Sequence, residues 1–171
     1  MIPELTSLLR KISSGDNTAL QTILKAFTDQ TISSNEQEQI HLYLKQAVRQ
    51  SPHAIYFLAL LYKHGFGVKQ NLDMVFVLMR EAAAKGHTLA IYEVGHCFLL
   101  GSGEETNYEN ARQWLGLAAG SPHYVAEAMY DLGVMYEEGL GVEKDLKQAK
   151  DWYEKAAKKG HERARGKLEI L

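Results

Sequence analysis

The chain has 171 residues, 46% of them apolar and 23% charged, with a formal charge of −2, an ordinary composition for one globular domain. So small a charge gives no basis for binding nucleic acid or an anionic membrane, and the longest strongly apolar run, residues 54–62, falls far short of the roughly 20 residues a membrane helix needs. One cysteine, Cys97, excludes an intrachain disulfide framework, and the first fifteen residues carry Glu4 early with no basic flank before an extended apolar stretch, so they do not read as a secretory signal; both features point to a reducing, cytoplasmic setting.

Residues 3–12 form an amphipathic segment with Leu5, Leu8, Leu9 and Ile12 on one side, stopped at Ser13-Ser14-Gly15 and suited to an N-terminal cap. Asp16 is the expected N-cap of a second helix, in which Ala19, Leu20, Ile23, Leu24 and Phe27 keep helical spacing up to a polar break over residues 28–35. A third helix is expected over residues 36–49, presenting Ile40, Leu42, Tyr43, Leu44 and Ala47.

From residue 54 onward one unit recurs. The cleanest copy has its marks at Ala128, Gly133, Tyr136, Gly139, Gly141, Ala149, Trp152 and Ala156, and Gly160 closes it. Thirty-eight residues earlier stand Ala90, Gly95, Phe98, Gly101, Gly103, Ala111, Trp114 and Ala118. Thirty-six earlier again come Ala54, Ala59, Tyr62, Gly65, Gly67, Val75, Leu78 and Ala82. Within the last copy, Ala128, Leu132, Gly133 and Tyr136 share one helix face, and the two glycines after them provide the stop; Asp145 is the expected N-cap of a second helix, whose stripe is Leu146, Ala149, Trp152, Tyr153, Ala156 and Ala157. Small residues on facing helices permit a close antiparallel pair. Neither helix of a pair can bury its apolar face alone, so the pairs must stack into a solenoid, wound to the right or to the left.

Projected upstream, the same period places Thr18 at the origin and makes the second and third helices a degenerate terminal repeat, with Asp29 and Thr31 where Gly65 and Gly67 stand. The expected organisation is one continuous domain: residues 1–53 as cap helix and degenerate pair, three repeats over 54–89, 90–127 and 128–160, and a capping helix over 161–171. The second copy is two residues longer, and Pro122 in the excess predicts an early start for the helix that follows.

The stretch AMYDLGVMYEEGLGVEKDLKQAKDWYEKAAKKGHERA resembles the Sel1-like repeat family, long-period relatives of tetratricopeptide repeats. The resemblance covers residues 54–171. The second copy departs from the pattern at Glu104 and Leu115, the first at Ala59, Val75 and Leu78. It implies an all-α fold, a right-handed α-α superhelix of Sel1-like, tetratricopeptide-like helix pairs, of bacterial style, working as a protein-binding scaffold or adaptor.

Seven histidines invite a metal or catalytic reading. His87, His123 and His161 recur at the turn between repeats, about one repeat apart, and cannot converge on one ion. His96 and Cys97 are neighbours about 100° apart on a helix and form no nucleophile–base pair; the column of Cys97 holds Leu61 and Met135 elsewhere, so it belongs to the core. The Gly-x-Gly pairs follow helices rather than strands and are turns, not phosphate loops. No metal, cofactor or catalytic residue is expected.

By similarity with tetratricopeptide units, the first helix of each pair lines a concave groove. The positions expected to face it are His53, Tyr56, Phe57, Leu60, Lys63 and His64; Leu89, Tyr92, Glu93, His96, Leu99 and Leu100; and Glu127, Tyr130, Asp131, Val134, Glu137 and Glu138. Such a groove suits a peptide or protein segment with a hydrophobic anchor and basic residues, bound without catalysis by a monomer or weak dimer. Two other readings compete: a cognate inhibitor, such as the immunity protein of a secreted toxin, suggested by the compact length, and a hydrolase of cell-wall or β-lactam substrates. The latter activity has been proposed for cysteine-rich relatives, which carry a disulfide in each repeat where this chain has one cysteine.

Overall fold

Apolar residues at helical spacing, punctuated by polar N-caps and glycine stops, build ten helices in the described part of this computed structural model, residues 3–120 and 122–171. No strand occurs among those residues, which is the expected all-α class. Helices α1 (Pro3–Ser13), α2 (Asn17–Thr28) and α3 (Ser34–Ala47) precede three helix pairs: α4 (Pro52–His64) on α5 (Leu72–Ala84), α6 (Thr88–Leu100) on α7 (Tyr108–Ala119), and α8 (Ala126–Glu138) on α9 (Leu146–Lys158). The short α10 (Glu162–Leu168) packs on α9. Two units divide the chain, Met1–His87 and Thr88–Leu171.

The caps are those the residues dictate. Asp16 accepts from the Ala19 amide at 3.0 Å, and Asp145 accepts from the amides of Lys147 and Gln148. Helix α3 begins two residues before its expected start because Ser33 and Glu36 close a reciprocal capping box, the Glu36 carboxylate accepting from the Ser33 amide. Pro122 initiates no helix; it lies in a turn that leaves Tyr124 at φ 51°, and α8 starts at Ala126. The last helix ends at Leu168, short of the expected residue 171.

Helices α4 and α8 both stop at a glycine in the left-handed region, Gly65 at φ 71° and Gly139 at φ 75°. The second glycine of each turn has a packing reason as well. A Cβ on Gly141 would collide with Cβ of Tyr108 at the start of α7, and one on Gly67 would come within 3.0 Å of Gln37 Cβ on α3. The second glycine of these two turns therefore sits against an earlier helix, α3 for Gly67 and α7 for Gly141.

In unit 1, α4 packs against α1, α3 and α5, and its residues from Ala54 to Leu61 are all buried. In unit 2 the cores of α6 to α9 are closed by Val94, Leu115, Met135 and Tyr153, each less than 2% exposed.

Candidate functional site

The expected groove positions separate into two kinds. In unit 1 half of them are core. Phe57 is 0% exposed, Leu60 is buried, and Tyr56 is buried with its ring stacked on His87 at 4.3 Å. His53 is half-buried: its ring lies edge-on to His87 at 4.8 Å and sits against Gly15, where an added Cβ would come within 2.9 Å of Nε2. For His53 the reason is the N-terminal segment. Helix α1 lies on α4, and the Ser51 hydroxyl donates to the Ser13 carbonyl at 2.6 Å, so the turn after α1 covers the start of α4, where His53 stands. Phe57, Tyr56 and Leu60 are core residues, whereas His53 and Lys63, both half-buried, and His64, exposed and stacked on Phe66, reach the surface.

Unit 2 keeps a face. On α6 the residues Leu89, Tyr92, Glu93, His96 and Leu100 fall at i, i+3, i+4, i+7 and i+11, one stripe of a helix, and all five are half-buried or exposed. Leu89 is 38% exposed and Leu100 is 62%, unusual for leucines of a helix whose other side is closed. Leu99 is buried and belongs to the core instead. On α8 the matching stripe is Glu127, Tyr130, Asp131, Val134 and Glu138. The two stripes meet: His96 Nδ1 lies 2.9 Å from Asp131 Oδ2. Asp131 is buried, whereas the His96 side chain remains 32% exposed.

A carboxylate only accepts hydrogen bonds, so Asp131 fixes the proton of a neutral His96 on Nδ1. Tyr92 completes the cluster, its hydroxyl 3.5 Å from the same nitrogen and hydrogen-bonded to Asp131. Burial pushes the Tyr92 phenol up, and the carboxylates of Asp131, Glu93 and Glu127 push it further. The same effect shows how the field runs here: three carboxylates act on one hydroxyl.

Toward the end of the unit, expected site residues serve the fold. Tyr130 is buried under His161, stacked at 4.6 Å, and under the Arg163 guanidinium at 4.8 Å. Glu137 accepts from the buried Tyr153 hydroxyl and from Lys167 Nζ, at 2.8 Å to each carboxylate oxygen. Burial raises its pKa, but hydrogen bonds from Lys167 and Tyr153 outweigh that and hold the carboxyl below its usual range. Glu137 is a brace between α8, α9 and α10; Glu138 beside it is exposed. Repeat register shows why the His96–Asp131 contact escaped the sequence reading: the sixth position after one origin meets the third after the next, a diagonal that a column-by-column comparison does not display.

Among the described residues no group of three His, Cys, Asp or Glu side chains could hold a metal ion, and no helix is long and apolar enough to cross a membrane. Cys97 is buried and forms no disulfide.

A profile of the Sel1 repeat matches residues 52–87, 88–122 and 126–161. Among solved structures, the chain is similar to a Sel1 repeat protein from Oxalobacter formigenes, with TM-score 0.73 and 27% identity over 88% of this chain and 61% of that one. It is likewise similar to a protective antigen of uropathogenic Escherichia coli strains displaying an SLR fold, with TM-score 0.74 and 27% identity over 96% of this chain and 35% of that one. Helicobacter pylori cysteine rich protein B aligns with TM-score 0.57 and 25% identity over 75% of this chain and 94% of that one. The chain therefore spans less than two thirds of the first two. No curated protein matches it significantly.

Proposed function

The chain belongs to the Sel1 repeat family, and from that premise we propose that it is a non-catalytic scaffold that binds a peptide or protein segment on the face formed by α6 and α8. Sel1 repeats are generally protein-interaction scaffolds, which sets the class. The observation that carries the choice of face is the 2.9 Å contact between His96 and Asp131, because it joins two helix stripes into one surface with Leu89 and Leu100 exposed along it. Exposed apolar side chains flanking a fixed polar cluster are the usual composition of a binding patch: the apolar groups supply area and the polar ones register. Carboxylates at Glu93 and Glu127 favour a partner carrying basic residues as well as an apolar anchor.

Chemistry on a substrate is a poorer account. His96 and Asp131 resemble the base and orienting residue of a triad, yet among the described residues no serine, threonine or cysteine hydrogen-bonds to His96. A reducing, cytoplasmic setting suits the single buried cysteine.

Panning a random peptide library on the purified chain tests the reading. Enriched peptides should combine apolar and basic residues and should perturb the amide resonances of Leu89, Tyr92, Glu93 and His96. Enrichment of nothing, or perturbations confined to α7 and α9, would overturn it.

A further inference from the structure

Resting on the reading that the α6–α8 face binds a partner, we infer that His96 Nε2 is the acceptor for an arginine side chain of that partner. Three observations lead there. Asp131 Oδ2 occupies Nδ1 at 2.9 Å, and since a carboxylate has no proton to give, the neutral ring must carry its hydrogen on Nδ1 and leave a lone pair on Nε2. That second nitrogen makes no hydrogen bond with any described residue and is not a buried unpaired atom, so it opens to solvent on a side chain that is 32% exposed. Its surroundings are negative, with Glu93 and Glu127 close enough to act on the Tyr92 hydroxyl next to it.

An acceptor nitrogen in a negative field calls for a cationic donor. Arginine fits better than lysine for a geometric reason: its planar guanidinium directs five N–H groups in a fork, so one group can donate to Nε2 while others reach a carboxylate, and its flat face can lie on an aromatic ring. Tyr92, half-buried with its ring centroid 5.4 Å from that of His96, offers such a ring. Asp131 is a positioning residue in this arrangement, setting the tautomer; His96 makes the contact.

The test uses short probes and does not depend on finding the natural partner. Acetyl-Leu-Arg-amide, acetyl-Leu-citrulline-amide and acetyl-Leu-Lys-amide are titrated into the isotopically labelled chain at neutral pH while the His96 imidazole nitrogens and the α6 and α8 amides are followed. The arginine probe should shift Nε2 and the amides of Glu93 and Asp131, and should bind at least about five-fold more tightly than the isosteric, uncharged citrulline probe and than the lysine probe. His96→Asn keeps a donor for Asp131 but removes Nε2, and should weaken the arginine probe by about five-fold in a chain whose amide spectrum is otherwise unchanged. Equal binding of the arginine and citrulline probes, equal binding of the lysine probe, or an unaltered response in His96→Asn would each overturn the inference. If a library-selected peptide binds the face while the arginine probe does not, the scaffold stands and the arginine site falls; if neither binds there, the scaffold itself falls.

Discussion

Gly133 of α8 lies so close to Tyr153 of α9 that a Cβ on the glycine would come within 2.5 Å of Tyr153 Cε1. The same columns of the preceding repeat hold Gly95 and Leu115, where a Cβ would stand 2.9 Å from both Leu115 Cγ and the Leu115 amide nitrogen. In these two repeats the glycine is thus a packing requirement, a notch in the first helix that receives a large side chain of the second.

Gly133→Ala should therefore destabilise the fold although alanine is the better helix former. Overpacking a full core typically costs about 1–3 kcal/mol, more than the roughly 1 kcal/mol of helix propensity gained. Gly116 in α7 supplies the control, since a Cβ there meets nothing within 4 Å; Gly116→Ala should stabilise by about 0.5–1 kcal/mol. Denaturant midpoints of the two variants should move in opposite directions, and a shared direction would refute the notch.

Glu137 joins three elements, since Tyr153 sits on α9 and Lys167 on α10. Glu137→Ala leaves the Tyr153 hydroxyl and the Lys167 ammonium without their acceptor, at a cost of about 1–3 kcal/mol, and should speed amide exchange in α10 before it does so in α8. The folded carboxyl lies below its ordinary pKa, so its contribution is present above the unfolded value near 4.5 and disappears as pH falls through the lower folded value. A pH–stability curve for Glu137→Gln that kept the full wild-type acid limb would count against this brace.

Much of the architecture was legible before the structure because it rests on small residues at a fixed period, and a missing side chain is visible in a sequence. Asp16 and Asp145 act as the caps they were read to be, for a short acid before an amphipathic run has one energetically favoured use. The binding face was less legible. Phe57 and Tyr56 occupy the same columns as Glu93 and Tyr92, but they are buried where Glu93 and Tyr92 are half-buried, and a column-by-column comparison does not display how deeply each one is covered. Pro122 misled for a related reason: a proline suits a turn as well as a first helical turn, and Tyr124 at positive φ shows that the turn was chosen.

His87 is buried against Tyr56 and His53, and desolvation, reinforced by the His53 charge, lowers its pKa to about 4. A histidine near 6.5 when unfolded and near 4 when folded binds its proton first in the unfolded chain, so unit 1 loses stability as pH falls from 6.5 to 4, by at most about 3 kcal/mol. His87→Gln cannot titrate and should flatten that part of the pH–stability curve relative to wild type. An equally steep curve in the variant would place the acid sensitivity elsewhere.

Gln30, one residue past the C-cap of α2, takes the left-handed conformation that glycines take after later helices. Its φ is 55°, with its amide donating to the Phe27 carbonyl and the Thr31 amide to the Ala26 carbonyl, the paired bonds of a left-handed helix stop. A side chain in that conformation costs about 1–2 kcal/mol, which glycine avoids while surrendering somewhat more chain entropy on folding. Gln30 is exposed, so its replacement removes no core contact. Gln30→Gly should accordingly raise the stability of unit 1 by up to about 1 kcal/mol, measurable as a higher denaturant midpoint at unchanged slope. Alanine at the same position should show no gain, because it keeps the Cβ that makes the left-handed conformation costly.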